Sequence, residues 1–269
     1  MTPRDLPEQP YTSRVIKGGA LLAECRELLR AWRPGHSPAD LEARVLAQDL
    51  LGRNTAQRVH DLVRRVFARR YLGDPANARL LQRLLQERPR GEWFAQVSLV
   101  LAARSDRLVR DVASQVVPRL RRQGIAALSA RDLVPFLSEA EQQGRTERPW
   151  SPAVRERVSQ GLVRLLTELG LLGPPRRGLR ELLPCAPHQL SVAWLAYDLH
   201  FQGVTDSGVT AHPDWRLWQL DEEAVRRELS DLAPQDLWIF QAAGSVVDLR
   251  WNHSDREELA DVLVGLDLL

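Results

Sequence analysis

Apolar residues recur every three to four positions through residues 1–124, in runs separated by short polar breaks. This spacing gathers apolar side chains on one face of a helix. Glycine and proline mark the breaks, at Pro34-Gly35, at Gly52 and at Gly73-Asp74-Pro75. Ser37-Pro38 is typical of the first turn of a helix, because serine caps the free amides and proline needs no partner there. The pattern predicts an all-helical bundle over residues 1–124.

Two further helices of this bundle have recognisable starts. Asn54 or Thr55 can cap one, whose core face carries Val59, Leu62 and Phe67 at helical spacing. Ser105 is the predicted cap of another, which runs to about residue 122 and is expected to bend at Pro118.

Residues 125–202 follow a different pattern. Ser129 is expected to cap one helix, and Ser151-Pro152 to open a second that ends near Leu169. A turn at residues 174–178 then leads into an extended run over residues 179–183. A helix followed by a basic turn and a strand is typical of a winged helix, which places the helix in the major groove and the wing on phosphate. Many helical proteins without a nucleic-acid partner also contain a capped helix followed by a turn.

The sequence pattern predicts a small α/β unit over residues 203–269. An apolar helix from His188 to Phe201 precedes it, and residues 206–218 are interpreted as an aromatic loop. Two apolar runs on either side of Ala242-Ala243-Gly244-Ser245 predict a β-hairpin, and Ser254 or Asp255 is expected to start a final helix. The chain is therefore predicted to be mainly α, with a helical bundle, a winged-helix-like middle unit and a C-terminal unit containing a hairpin.

Charge is distributed unevenly along the chain. The whole sequence has 37 basic and 35 acidic residues, for a net charge of +2. Residues 1–122 carry 23 basic and 13 acidic side chains, whereas residues 191–269 carry 5 and 15. Such asymmetry indicates a polyanionic partner for the basic end. Two alternatives remain open: the ends attract each other, or the acidic tail contacts a basic protein.

Arginines supply the candidate DNA contacts. On the helix after Thr55, Arg58, Arg65 and Arg69 fall on a line beside the core face, and Arg64 lies further round on the solvent side. The others lie at the end of the helix before Gly124, on the exposed side of the helix after Ser151 together with Gln160, and in the turn after Pro175. Arginine forks bind phosphate through two hydrogen bonds and can also read guanine. The candidates are Arg58, Arg64, Arg65, Arg69, Arg119, Arg121, Arg122, Arg155, Arg157, Arg164, Arg176 and Arg177.

Enzymatic chemistry finds little support in the residues. Lys17 is the single lysine and does not end a phosphate-binding loop, which excludes Walker-type and kinase sites. The six histidines form no ligand pair at helical spacing, and Cys25 and Cys185 lie too far apart for a metal motif. We expect no catalysis, no cofactor and no metal. Without a signal peptide or an apolar span of about 20 residues, we expect a cytoplasmic protein that does not enter the membrane.

Two motifs carry a family resemblance. The first is Tyr11-Thr12-Ser13 with Lys17-Gly18-Gly19-Ala20-Leu21-Leu22 and Glu24, and the second is Leu195-Ala196-Tyr197-Asp198-Leu199-His200 with Asp206 and His212-Pro213-Asp214-Trp215. In order and length the chain resembles the BrxA family over nearly its whole extent. The resemblance implies a small component of bacterial BREX phage-exclusion systems, which also encode a DNA methyltransferase, a large ATPase, a phosphatase-like protein and a Lon-like protease. It further implies a helical protein that contains a winged helix and binds DNA, without residue roles that can be transferred.

The leading hypothesis is a non-enzymatic accessory protein that binds double-stranded DNA through arginines while its acidic end contacts other BREX components. A protein–protein adaptor without nucleic-acid contact is the first alternative. The second is an RNA-binding helical bundle, because a basic helical domain does not distinguish RNA from DNA.

Overall fold

The structure is a computed structural model that describes residues 9–16, 21–52, 54–244 and 246–266. It divides into two compact units, each assembled from two separate stretches of chain. Unit 1 comprises Met1–Cys25 and Ser98–Cys185, and unit 2 comprises Arg26–Val97 and Ala186–Leu269.

Helices dominate both units, and the prediction of a mainly α chain with a C-terminal hairpin is confirmed. The helices are α1 (Leu22–Ala31), α2 (Pro38–Ala47), α3 (Ala56–His60), α4 (Ala68–Tyr71), α5 (Pro75–Glu87), α6 (Trp93–Ser105), α7 (Arg107–Asp111), α8 (Val117–Arg122), α9 (Val134–Gln142), α10 (Pro152–Glu168), α11 (Gln189–Phe201), α12 (Asp206–Ala211), α13 (Glu222–Leu232) and α14 (Arg256–Gly265). The strands are β1 (Ala127–Leu128), β2 (Arg180–Glu181), β3 (Trp238–Ala243) and β4 (Val246–Trp251). In the part of the chain that the structure describes, no helix combines the length and the apolar character needed to cross a membrane.

Side-chain caps begin most of these helices where the sequence places them. Ser37 forms a capping box with Asp40, and Thr55 rather than Asn54 caps α3. The predicted Ser105 cap is wrong. Its hydroxyl donates to the Ala102 carbonyl within α6, and Asp106 accepts the Leu108 amide at the start of α7. Aspartate accepts hydrogen bonds from free amides as well as serine does, so the sequence alone does not choose between neighbours.

Two helical runs each contain a π-helical turn, in which the helix is wider than an α-helix. A π-helical turn at Asp61–Phe67 joins α3 to α4, and another at Val112–Val116 joins α7 to α8. The second ends two residues before Pro118, which has no amide hydrogen to donate to a carbonyl one turn back. Local widening accommodates such a residue without ending the helix.

A small antiparallel sheet completes unit 1. β1 pairs with β2 through Ala127 opposite Glu181, and the chain before the 174–178 turn pairs with the other edge of β2 at Leu172 and Leu182. The Gly173 amide donates to the Glu181 carbonyl at 2.8 Å. The elements of residues 107–183 therefore follow in the order helix (α7 to α8), strand (β1), helix (α9), helix (α10), strand (at Leu172), turn and strand (β2).

Unit 2 is organised around α11, which is buried on all sides from Leu190 to Leu199. A helix that is apolar all round belongs in a core. The Trp194 indole donates to the Asn77 side-chain oxygen at 2.8 Å, which gives the buried indole N–H and the buried amide oxygen a partner. Helix α14 packs along α5 in this unit.

The sequence predicts a loop over residues 206–218, and this prediction is wrong. Thr205 caps α12, and His212 caps a 3-10 turn at Pro213–Trp218. Both elements have six residues, too few to show a helical period in the sequence. The Asp206 carboxylate accepts the Leu249 amide at 3.2 Å and so attaches the hairpin of β3 and β4 to α12.

Candidate nucleic-acid interface

The two units have opposite net charges. Unit 1 carries 18 basic and 12 acidic residues, for a net charge of +6. Unit 2 carries 19 and 23, for a net charge of −4. The basic stretch 26–97 and the acidic stretch 186–269 thus share one unit, in which Arg79 and Arg83 form ion pairs with Glu257 and Asp261. The basic excess remains on unit 1.

Helix α10 presents an exposed polar stripe on unit 1. Ser151 caps its first turn by accepting the Val154 amide at 3.3 Å, and Val158, Leu162 and Leu165 face the core. Residues 157, 160 and 164 lie on the opposite side because helical positions three and four apart share a face. All three side chains, Arg157, Gln160 and Arg164, are exposed, as the sequence predicts.

Arg155 does not join this stripe, so its predicted exposure is wrong. Its guanidinium donates to Glu141 Oε2 and, at 2.8 Å, to the Trp150 carbonyl, and its side chain is 20% exposed. Glu141 belongs to α9, and Trp150 belongs to the loop between α9 and α10. Arg155 therefore holds the loop to the start of the helix.

Two arginines form the tip of the turn that follows α10. The Arg176 amide donates to the Leu179 carbonyl at 2.8 Å, and the Leu179 amide returns a bond of 3.0 Å. Arg177 and Gly178 between them have φ angles of 52° and 82°. Positive φ at both central residues is the signature of a type I′ turn, which suits the twist of a hairpin. Arg176 and Arg177 are both exposed, and Arg177 adopts a conformation that favours glycine or asparagine.

Further arginines of unit 1 lie on α8 and ahead of α9 and α10. Arg119 and Arg122 are exposed at the end of α8, as predicted, whereas Arg121 is half-buried and donates to the Leu183 carbonyl. Sequence reasoning missed two exposed residues, Arg131 and Arg148. Arg131 lies in the turn before α9, and Arg148 lies in the loop before α10. Their positions next to the starts of these helices could have indicated that they are exposed.

The arginines predicted on the helical run after Thr55 belong to unit 2 and already have partners. The Arg64 guanidinium donates to Glu42 Oε2 at 2.6 Å, and Arg65 forms an ion pair with Asp61 at 3.1 Å. Arg58 and Arg69 also interact with other residues. This group therefore belongs to unit 2, whereas the arginines of α10 and the following turn belong to unit 1.

Three side chains that could act as a nucleophile or a base are buried, cap a helix or stack on an aromatic ring. Burial raises the pKa of the Cys185 thiol to about 11, so the thiol carries its proton at neutral pH. His188 caps α11 by accepting the Leu190 amide at 3.1 Å, and burial lowers its pKa. His200 stacks on Trp251 with ring centroids 4.4 Å apart.

The family model of BrxA, a family of BREX phage-defence proteins, matches residues 9–197, which is 189 of the 269 residues. The chain belongs to the BrxA family. The match begins at the opening motif and ends within the second motif, so it covers a smaller part of the chain than the motifs suggest. No curated protein sequence matches the chain.

The two BrxA motifs have packing roles in the described residues. Tyr11 is fully buried in unit 1. Asp198 is buried in unit 2, where Arg256 Nη2 lies 3.0 Å from Asp198 Oδ1 and 2.8 Å from Asp74 Oδ2. Residues Lys17 to Ala20 of the opening motif lie outside the described residues.

Proposed function

We propose that this BrxA protein is a non-enzymatic subunit of a BREX phage-defence system that binds double-stranded DNA through unit 1. In this proposal residues 107–183 act as a winged helix. Helix α10 enters the major groove with Arg157, Gln160 and Arg164, and Arg176 and Arg177 at the tip of the turn contact phosphate. Arg119 and Arg122 add contacts to the backbone.

One observation carries the proposal. Six of the predicted arginines, namely Arg119, Arg122, Arg157, Arg164, Arg176 and Arg177, are exposed in unit 1, and none has an ion-pair partner within the described ranges. Arg64 and Arg65 of unit 2 instead face carboxylates. Exposed guanidinium groups without a carboxylate partner keep their hydrogen-bond donors available for phosphate oxygens.

Competition between nucleic acids tests which polymer binds. A labelled DNA duplex bound to the protein is challenged with unlabelled duplex DNA or structured RNA of equal length. The proposal predicts that the DNA displaces the label at a lower concentration, because the deep, narrow major groove of A-form RNA does not admit side chains. Preferential displacement by RNA would support the RNA-binding alternative instead.

Arg177→Asn should separate stability from binding. Asparagine tolerates the left-handed conformation better than arginine, and Asn-Gly is favoured in type I′ turns. We expect the free energy of unfolding to rise by up to about 1 kcal/mol. We also expect DNA affinity to fall by about tenfold through the loss of one phosphate contact. Urea denaturation and a duplex titration measure the two quantities, and unchanged affinity would remove Arg177 from the interface.

A protein partner for unit 2 is a second, compatible candidate function. One face of the hairpin carries the residues Ile239 and Val246, which are 51% and 67% exposed, together with Gln241, Asp248 and Arg250. Large apolar side chains on a solvent-facing sheet favour contact with another protein. Another BREX component is the proposed partner.

The double substitution Ile239→Asp with Val246→Asp distinguishes this role from DNA binding. Both side chains point outward, so the fold should tolerate the change. We expect co-purification with the other BREX components to be lost while duplex affinity stays within about twofold of wild type. Retained co-purification would exclude the hairpin face. Lost co-purification with a wild-type protein that binds no DNA would favour a pure adaptor.

We also propose that the protein acts without catalysis or a cofactor and that it is cytoplasmic. The protonated Cys185 thiol and the capping role of His188 support function without catalysis or a cofactor. A role on DNA inside the cell agrees with a cytoplasmic location.

A further inference from the structure

The described N-terminal residues 9–16, which we name the strap, attach to the loop between α9 and α10. The Tyr11 amide donates to the Arg145 carbonyl at 2.7 Å, and the Glu147 amide donates to the Tyr11 carbonyl at 3.0 Å. These two bonds form a parallel bridge centred on Tyr11 and Thr146. The loop that orients the start of α10 is therefore held by a segment more than a hundred residues earlier in the chain.

The Tyr11 side chain fixes the strap to α7. Its hydroxyl donates to Asp111 Oδ2 at 2.5 Å, and the guanidinium carbons of Arg107 and Arg145 lie 5.2 and 5.6 Å from the ring centre. Arg107 also donates to the Gln9 carbonyl at 2.9 Å. The ring is fully buried, and burial raises the pKa of Tyr11 above its ordinary value, so the phenol stays a hydrogen-bond donor. Tyr11 thus links α7, the strap and the loop.

The strap also touches α10 itself. A Cβ atom added at Gly161 would lie 2.8 Å from the Val15 carbonyl oxygen, a distance that real Cβ contacts do not show. Glycine at this position therefore allows the backbone of the strap to lie directly on the helix. Gly161 borders the stripe that carries Arg157 and Arg164, since it lies four residues after one and three before the other.

We infer that the strap positions α10. Tyr11 fixes the strap to α7 and to the loop, and Gly161 is the place on α10 where the strap backbone lies. Contacts on the loop and on the helix leave α10 little freedom to rotate or slide relative to α7. The inference rests on the proposed function, because the stripe so positioned is the one proposed to enter the major groove.

Two substitutions release the strap at opposite ends. Tyr11→Phe removes the hydroxyl that binds Asp111 but keeps the ring, and Gly161→Ala pushes the Val15 backbone away. Alanine is otherwise favoured over glycine inside a helix, so any loss at this site comes from the strap. Gly265→Ala is the matched control, because a Cβ atom there meets no atom within 4 Å and φ is ordinary. We expect duplex affinity to fall by about tenfold for Tyr11→Phe and Gly161→Ala, and to be unchanged for the control.

A double-mutant cycle shows whether the effect passes through α10. Tyr11→Phe is combined with Arg157→Ala and Arg164→Ala, and separately with Arg176→Ala and Arg177→Ala. If the strap positions the stripe, its loss costs less once the stripe arginines are gone, whereas it adds fully to loss of the turn arginines. A general loss of structure would instead affect both combinations alike, and that result would overturn the inference.

Hydrogen exchange supplies a readout that does not depend on DNA. The Tyr11 and Glu147 amides should be protected in the full-length wild-type protein and should exchange about tenfold faster in Tyr11→Phe. Faster exchange with unchanged duplex affinity would overturn the inference and leave the proposed function standing. Absence of DNA binding by the wild-type protein would overturn the proposed function, and this inference with it.

Discussion

Replacing Arg176 and Arg177 with glutamate is expected to lower the affinity for duplex DNA by about 100-fold. Each charge-assisted hydrogen bond to phosphate contributes about 1.5 kcal/mol or more, so two lost contacts account for this factor before repulsion is added. Both side chains are exposed at the tip of a turn, and their removal leaves no buried group unpaired. Fluorescence anisotropy with several unrelated duplexes measures the effect, which should be similar for all sequences.

The control must change net charge by the same amount elsewhere. Arg33→Glu with Arg216→Glu does so, because both arginines are exposed on unit 2 and neither forms an ion pair within the described residues. We expect this variant to bind within about threefold of wild type. Equal losses in both variants would show that overall charge governs binding, and the interface on unit 1 would be wrong.

Replacing Arg256 with methionine is expected to have the largest effect on stability. The Arg256 guanidinium lies between the Asp198 and Asp74 carboxylates and over the Phe201 ring, with its carbon 4.8 Å from the ring centre. Asp198 is 4% exposed, so removing its cation leaves a buried carboxylate with less compensation. Loss of one partner of a buried ion pair costs about 3–5 kcal/mol. Urea denaturation should show a drop of that size.

Arg250→Met is the matched comparison in the same unit. Arg250 and Asp248 form an ion pair at 3.5 Å, but their side chains are 74% and 49% exposed. Exposed pairs contribute about 0–1 kcal/mol, so we expect a small change. Similar losses for both variants would mean that the Asp198 site is no more important than a surface pair.

Local features of the fold were predictable because they depend on neighbouring residues. Ser129 forms a capping box with Asp132, and Ser151 caps α10, as the sequence indicates. The exposed side of α10 follows from its period, and the hairpin of β3 and β4 from its two apolar runs. Capping and periodicity are local effects, so they can be read directly from the chain.

Long-range features were not predictable in the same way. Arg155 of α10 forms an ion pair with Glu141 of α9, and no periodic pattern reveals such a contact between two helices. The pairing of Tyr11 with residues of the loop before α10 joins positions more than a hundred residues apart. The predicted division at residues 124 and 202 stays a prediction, whereas the compact units of the structure each combine two separate stretches.

The pairing of charges was not predictable from the sequence either. The sequence gradient indicates a basic end and an acidic end, but it does not show which cations are paired. Arg79 and Arg83 of α5 face Glu257 and Asp261 of α14 in unit 2. Contacts between distant helices therefore neutralise part of the gradient and leave the arginines of unit 1 as the candidate interface.

Titration of wild-type protein with duplex DNA across salt concentrations tests the central claim most directly. Binding that uses about 4–6 phosphate contacts should weaken by roughly 10²–10³ between about 50 and 200 mM salt. The account predicts this steep, linear dependence of the logarithm of affinity on the logarithm of salt. An affinity that stays flat over this range, or no binding at low salt, would contradict it.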